Sequence, residues 1–385
     1  MVRALNESVS HHTLVPLGGP GISAIVLAAG QGTRMRSTRP KPLHLLCGRT
    51  MVQYVLDSLS GLPLSRAVVV VGHGAEQVRK RLSEDNTADR PLDFVEQVKQ
   101  KGTGDAVAVG LTAFTEQELD ADLEADVVVL PGDTPLLRAD TVTELVTRHR
   151  SERADCTVLT ARLHDATGYG RVVRNKDGDV QRIVEHRDAS PEELAINEIN
   201  TSIYCFKRSL LGPALRQLSP QNSQGEYYLT DVVAFLHSAG YRVRSMVADD
   251  SAETHGVNDR NQLAGAEGVL RARTNARWMA AGVTMLDPER TYVDATVTLG
   301  EDVTLFPGTI LQGDTRIGDR CEIGPDTRLV DCRIGPGAIV EKAMARDAEI
   351  GEEAHVGPFA VLQPGAHVGS SQATGPFYTA PEAGS

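Results

Sequence analysis

Four runs of consecutive aliphatic residues mark the first part of the chain: "SAIVLAAG" (23–30), "RAVVVVG" (66–72), "ADVVVLPGD" (125–133) and "ADCTVLTARL" (154–163). Their apolar positions are continuous rather than alternating, which predicts strands of a sheet covered on both faces. Between them, "TMVQYVLDSLSGL" (50–62) places Met51, Val55, Leu56 and Leu59 along one helical face. "TVTELVTRHRSE" (141–152) does the same with Val142, Leu145 and Val146. Strand–helix alternation of this kind across 22–245 predicts an α/β domain with a mostly parallel, Rossmann-like sheet.

The period then changes twice. "NDRNQLAGAEGVLRARTNARWMAA" (258–281) opens on an Asn and is closed by Gly282, which predicts one long helix. At 1.5 Å per residue it extends roughly 35 Å and suits an arm between domains. Beyond it Val293, Leu299, Leu305, Leu311, Ile317, Ile323 and Leu329 fall at every sixth position. After a break of register, Ile350, Val356, Leu362 and Val368 resume the spacing. A hexapeptide period predicts a parallel β-helix, each aliphatic residue pointing inward. At three hexads per coil the repeat yields about four coils. The expected organisation is an extension (1–21), an α/β domain (22–257), a helical linker arm (258–282), a short β-helix (283–369) and a disordered polar tail (370–385).

Composition narrows the function. The 385-residue chain has a formal net charge of −12 and only 4% aromatic residues, which argues against nucleic acid as a partner. An anionic ligand must therefore be held locally. The five cysteines are scattered with no C-x-x-C pair, so neither a disulfide framework nor a zinc site is expected. No apolar stretch approaches the roughly 20 residues of a membrane span, and residues 1–20 lack a signal-peptide core. The expected location is the cytoplasm.

The candidate chemistry begins where the first strand ends, in "AIVLAAGQGTRMRSTRPKPLHLL" (24–46). Loops at the carboxyl ends of the strands are where open α/β sheets bind ligands. Ala28, Ala29, Gly30 and Gly32 leave backbone N–H groups uncovered for a phosphate, and Arg34 offers a fork of donors. Pro42 biases Lys41 towards an extended conformation that projects it away from the loop. The lysine step of a P-loop is missing, and Met35 stands at the third glycine of a dinucleotide fingerprint. A strand-end turn with solvated charges is the competing reading of the loop alone. Asp133 ends a later strand at the same sheet edge and suits Mg²⁺, which favours one or two carboxylates plus substrate phosphates. "QVKQKGTGD" (97–105) adds Gln97 and Thr103, suited to a base or ribose.

These motifs, in order "LAAGQGTRM", "KPLH", "GTGDAV", "PGDTPLL", "TGYGRVV", "IVEHRDAS", "EINTSIYCF", "NSQGEYYLTD" and "GVNDRNQL", cover about 22–265. Together they resemble the bacterial bifunctional N-acetylglucosamine-1-phosphate uridyltransferase/glucosamine-1-phosphate acetyltransferase family, and the repeat continues the likeness to about 369. The resemblance implies a left-handed β-helix and a set of roles. Leu27, Ala28, Ala29 and Gly30 contact the nucleotide, with Arg34 and Lys41 on its phosphates as the catalytic cations. Gln97, Gly102 and Thr103 hold the uracil, and Asp133 with Asn258 coordinates Mg²⁺. Gly170, Glu185 and Asn200 bind the N-acetylated sugar. UTP and the sugar 1-phosphate are then the partners, and a homotrimer through the β-helix is left open.

The acetyltransferase half departs from the family. Gln363 in "FAVLQPG" stands where the resemblance places a phosphate-binding arginine, and the coils carrying that half's catalytic residues are missing from the sequence. The expectation is uridylyl transfer without acetyl transfer. Two alternatives accompany it. One is a nucleotidyltransferase for another sugar or cyclitol 1-phosphate, or another NTP. The other is a non-catalytic regulatory subunit, against which Arg34, Lys41, Asp133 and Asn258 all speak by their presence.

Overall fold

The computed structural model describes residues 20–85, 92–115, 117–118 and 122–380. The predicted extension therefore lies almost wholly outside the described residues. Two compact units emerge, one formed by the chain up to Leu43 with Met51–Asn258, the other by His44–Thr50 with Asp259 onwards.

The first unit is built on a nine-stranded sheet. Its strands are β1 (Ile22–Ala28), β2 (Leu64–Val71), β3 (Leu92–Glu96), β4 (Asp126–Pro131), β5 (Cys156–Arg162), β6 (Arg171–Arg174), β7 (Val180–Val184), β8 (Glu198–Lys207) and β9 (Val243–Val247). The order is β9-β5-β8-β4-β1-β2-β3, with β6 and β7 added as a hairpin beside β8. All neighbours along that path are parallel except β8, which runs antiparallel to β4 and β5. The order reverses at β1, which lies between β2 and β4. That reversal opens a crevice outside its carboxyl end.

The continuous apolar runs have the predicted cause. Ile22, Ala24 and Val26 of β1 face one core with α1 (Met51–Asp57), α2 (Ala75–Asp85) and α4 (Ala139–Ser151). Ile25 faces another core with α3 (Thr103–Leu111), α5 (Arg208–Leu215) and α6 (Thr230–Ser238). Alternate residues of a strand point to opposite faces, so a strand between two helical layers is apolar throughout. The predicted helix 50–62 is shorter, because Ser58 Oγ turns back to the Val55 carbonyl at 2.7 Å and Gly61 and Pro63 follow.

The second unit is a left-handed parallel β-helix. Its three sheets hold five, six and five strands among the described residues, from Thr284–Met285 to Thr379–Ala380. There are thus five full coils and the start of a sixth, where four were expected. The register break is the reason. Leu329 pairs with Ala345, and Ile317, Ile334 and Ile350 stack in one sheet. The chain shortens three sides by one residue and puts an alanine at an inward position, so the coil continues while the sixfold pattern lapses. The expected disordered tail is corrected as far as Ala380. Thr379–Ala380 pairs with Val361–Leu362, and Ala373 bridges to His355.

Two segments join this unit against expectation. The helix α7 (Arg260–Ala280) is capped by Asp259 Oδ1, which accepts from Gln262 N at 2.9 Å. It is no free arm, since Trp278 packs on the β-helix core and Asn275 donates to the Pro288 and Thr291 carbonyls. The hairpin 44–50 is the other segment. Its turn residue Cys47 donates its N–H to Glu267 Oε2 at 2.8 Å, and the Cys47 carbonyl accepts from Ala295 N. Among the described residues no helix is long and apolar enough to cross a membrane.

Candidate active site

A cavity of about 760 Å³ opens in the first unit at the carboxyl ends of β1, β3 and β4. Leu27 to Thr33 form one wall, with the loop pinned from below. Gly132 N donates to the Leu27 carbonyl at 2.8 Å and His73 N to that of Ala29 at 3.3 Å. Gly32 adopts φ +62°, and a Cβ built there would lie 2.6 Å from the Lys41 Cβ. Only glycine tolerates both the backbone and the approach. The loop therefore folds back on itself, and this overturns one expectation. Lys41 opens a short 3₁₀ turn, and its side chain reaches inward rather than away from the loop.

The ammonium of Lys41 is ion-paired with Asp133 Oδ2 and donates to Asn258 Oδ1 at 2.8 Å. These partners come from 92 and 217 positions along the chain. Lys41 is 12% exposed and Asp133 27%, so the pair is sheltered but reachable. Two hard oxygen donors, a carboxylate and an amide, thus converge on one cationic point. Among the described residues no group of three or more His, Cys, Asp and Glu does so. The donor set fits Mg²⁺, which takes few protein oxygens and completes its shell from water and phosphates. It does not fit zinc or a thiolate metal.

Across the cavity, Gln97 is buried and its side-chain amide donates to the Gly102 carbonyl at 3.2 Å and Asp105 Oδ2 at 2.8 Å. Gly102 begins α3 at φ +109°, with the Tyr227 carbonyl oxygen 2.5 Å from where a Cβ would stand. Thr103 Oγ1 accepts from Leu229 N at 3.0 Å. These bonds hold a rigid polar edge at the start of a helix.

Glu185 and Asn200 also line the cavity. Asn200 N donates to the Gly170 carbonyl at 2.9 Å, and Glu185 Oε1 accepts from Thr230 Oγ1 at 3.1 Å. Gly170 does not line the cavity but backs both residues, since a Cβ there would meet Asn200 and Glu185 at 3.6 Å. Arg34 does not line it either. It is exposed, one residue beyond the lining Thr33. Every other candidate residue named above does line the cavity. The lining residues not singled out earlier include Gln100, Tyr169, Tyr204, Gln224, Tyr228 and Thr230. Four of them sit inside the motifs "TGYGRVV" and "NSQGEYYLTD", which were recognisable as strings without showing which side chains turn inward.

Burial pushes the Glu185 carboxyl above its ordinary 4.5, and Asp231, Asp188 and Glu226 add to the rise against the Thr230 bond. A raised carboxylate makes the native state bind more protons than the unfolded one, so its contribution is full below 4.5 and is lost as pH rises through the raised value. Glu185→Gln is therefore expected to raise the thermal midpoint of the ligand-free protein at pH 8, and to leave it unchanged near pH 4. The same variant should raise the KM for a sugar phosphate about tenfold, through a lost charged acceptor, with the KM for the nucleotide unmoved. Melting curves at the two pH values and a two-substrate kinetic grid check both halves.

Residues 24–234 match the family of MobA-like NTP transferase domains. The bifunctional protein GlmU of Streptomyces avermitilis is 46% identical over 356 residues, 92% of this chain and 72% of that protein. That of Halalkalibacterium halodurans is 43% identical over 92% of this chain and 75% of its own length. An Exiguobacterium GlmU is 46% identical over 92% and 76%.

The chain belongs to the GlmU family.

Its first unit is a nucleotidyltransferase domain, and the cavity lies in the crevice at the reversal of strand order. The GlmU proteins named here are longer, and this chain spans about three quarters of their length.

Proposed function

We propose that this GlmU-family chain joins UTP and N-acetylglucosamine 1-phosphate into UDP-N-acetylglucosamine and pyrophosphate, and that it does not transfer acetyl groups. The convergence of Lys41, Asp133 and Asn258 in a cavity also lined by Glu185 and Asn200 is the observation that supports this most.

An oxygen of the sugar phosphate attacks the α-phosphorus of UTP in line. The new P–O bond forms as the bond from the α-phosphorus to the bridging oxygen breaks, and pyrophosphate leaves with the electron pair. The attacking phosphate is already ionised at neutral pH, so the chain supplies no general base. Its task is to bring two anions together and stabilise charge on the transferring group. The amides of Ala28–Gly30 bind phosphate oxygens. Gln97, Gly102 and Thr103 orient the base, while Glu185 and Asn200 fix the sugar so that its phosphate points at the α-phosphorus. A magnesium ion held by Asp133 and Asn258 would supply Lewis-acid neutralisation of the phosphates. Lys41 then exchanges its two protein oxygens for phosphate oxygens, and Arg34 turns inward to the same charge.

The absence of acetyl transfer rests on Gln363. It follows the strand Val361–Leu362 and is uncharged where the family resemblance expects an arginine on a phosphate. A panel of NTPs and sugar or cyclitol 1-phosphates, scored by pyrophosphate release, tests the substrates. UTP with N-acetylglucosamine 1-phosphate should exceed every other pair at least tenfold in kcat/KM, about 1.4 kcal/mol. A different preferred pair overturns the substrate assignment, and free CoA released from acetyl-CoA and glucosamine 1-phosphate overturns the second half.

A further inference from the structure

Asp133 and Asn258 belong to segments far apart in sequence, and neither segment's local pattern sets the distance between their oxygens. Asp133 lies in the turn between β4 and α4, and Asn258 ends the stretch that follows β9. The start of α4 has no cap of its own. Its N-cap residue, Arg138, is extended and offers no side-chain cap. The N–H of that N-cap residue and a first-turn hydroxyl find their acceptor in the other segment. Glu253, 2% exposed in the turn Ser251–Thr254, accepts the Arg138 N–H at 3.1 Å through Oε2 and the Thr141 hydroxyl at 2.9 Å through both oxygens.

A carboxylate at a helix N-terminus is favourable through its hydrogen bonds and the helix dipole. A cap supplied by residue 138 itself would stabilise α4 alone. A cap supplied by residue 253 stabilises α4 only while the Asn258 segment is seated, so the two become thermodynamically coupled. Lys41 bridges the two oxygens directly in the ligand-free chain, but a bound cation would displace it; the remaining ties are weaker or local. The Arg138–Asp250 ion pair at 2.9 Å is exposed on both sides, where such pairs contribute little. A single backbone bond joins Val257 N to the Asp133 carbonyl at 2.8 Å.

We propose that Glu253 is a positioning residue for nucleotidyl transfer: it seats the Asn258 segment on the helix that follows Asp133, and so sets the spacing of the two oxygens that receive the divalent cation. This rests on the metal reading given under the proposed function.

The test measures Mn²⁺ binding by electron paramagnetic resonance with UTP present and no sugar phosphate, alongside thermal midpoints. Glu253→Ala is expected to weaken Mn²⁺ binding about tenfold, the range for residues that orient metal ligands. Glu253→Gln keeps an acceptor oxygen and should fall between it and the wild type. Arg138→Ser gives α4 a cap of its own. In the Glu253→Ala background it should restore the thermal midpoint without restoring Mn²⁺ affinity, whereas Arg138→Ser alone should bind Mn²⁺ as the wild type does. Wild-type Mn²⁺ affinity in Glu253→Ala or in the double variant overturns the proposal. So does an equal loss in Arg138→Ser alone, which would assign the tie to the Arg138–Asp250 pair. If Glu253→Ala does not fold, the double variant and Glu253→Gln decide. Asp133→Ala separates the two levels: unchanged Mn²⁺ binding there overturns the metal reading itself, while a loss there beside an unaffected Glu253→Ala overturns only the role of Glu253.

Discussion

Replacing Asp133 by alanine is expected to lower turnover of UTP with N-acetylglucosamine 1-phosphate by about 100- to 1,000-fold, the range for removing a preorganised group from a developing charge. Among the described residues the carboxylate is the one charged oxygen donor facing the Lys41 ammonium, the other donor being the neutral Asn258 amide. Its loss leaves a divalent cation with that amide alone, too little protein to hold it against water. Asp133→Asn separates charge from geometry. It retains an oxygen and should recover part of the rate, more so at high Mg²⁺. The fold should survive in both, because Asp133 is partly exposed and its backbone, not its side chain, accepts from Val257 N. Steady-state pyrophosphate release across a Mg²⁺ titration checks this, and an alanine variant within threefold of the wild type at all Mg²⁺ concentrations would end the assignment of this residue.

Lys41→Met is expected to act in two opposed directions. The methionine is close in length and carries no charge, so the contact with Gly32 is largely kept. With the ammonium gone, Asp133 and Asn258 lose the cation that holds them in the ligand-free chain. Metal affinity should then improve several-fold, since hydrogen bonds to charged groups are worth about 1.5–3 kcal/mol and that competition disappears. On the proposed mechanism the phosphates lose a cation, which should cost about 100-fold in kcat. The second effect is larger, because it acts on charge that grows in the transition state, while the first only shifts a ground-state equilibrium. The expected result is a lower Mg²⁺ half-saturation together with a much lower kcat. Lys41→Arg should recover less than a tenth of the lost rate, since its planar fork does not fit a point between two converging oxygens. A Lys41→Met enzyme with raised Mg²⁺ half-saturation and normal kcat would show that the lysine only shapes the site.

Much of this protein was set by patterns that a short window of sequence contains. Short apolar runs of "AIVLA" and "VVVLP" type, rich in β-branched residues and closed by glycine, read as strands between two layers, and they became β1 and β4. The sixfold spacing from Val293 specified inward positions of a coil, and those residues form one core. Gly32 and Gly102 stood at loop positions where the backbone does need glycine. What a window does not contain is which distant segment meets it. Lys41 folds back onto Asp133 and Asn258 because β1 and β4 are adjacent in the sheet and β9 returns the chain to the same edge. Glu253 is a carboxylate like fifty others until α4 is found beside it without a cap of its own. The hairpin 44–50 reads as part of the first unit until Glu267 takes the Cys47 N–H. Period and turn chemistry are local free energies, written residue by residue. Capping in trans, ligand convergence and unit membership depend on contacts across a hundred positions or more, whose partners are chosen by sheet order and burial of the whole chain.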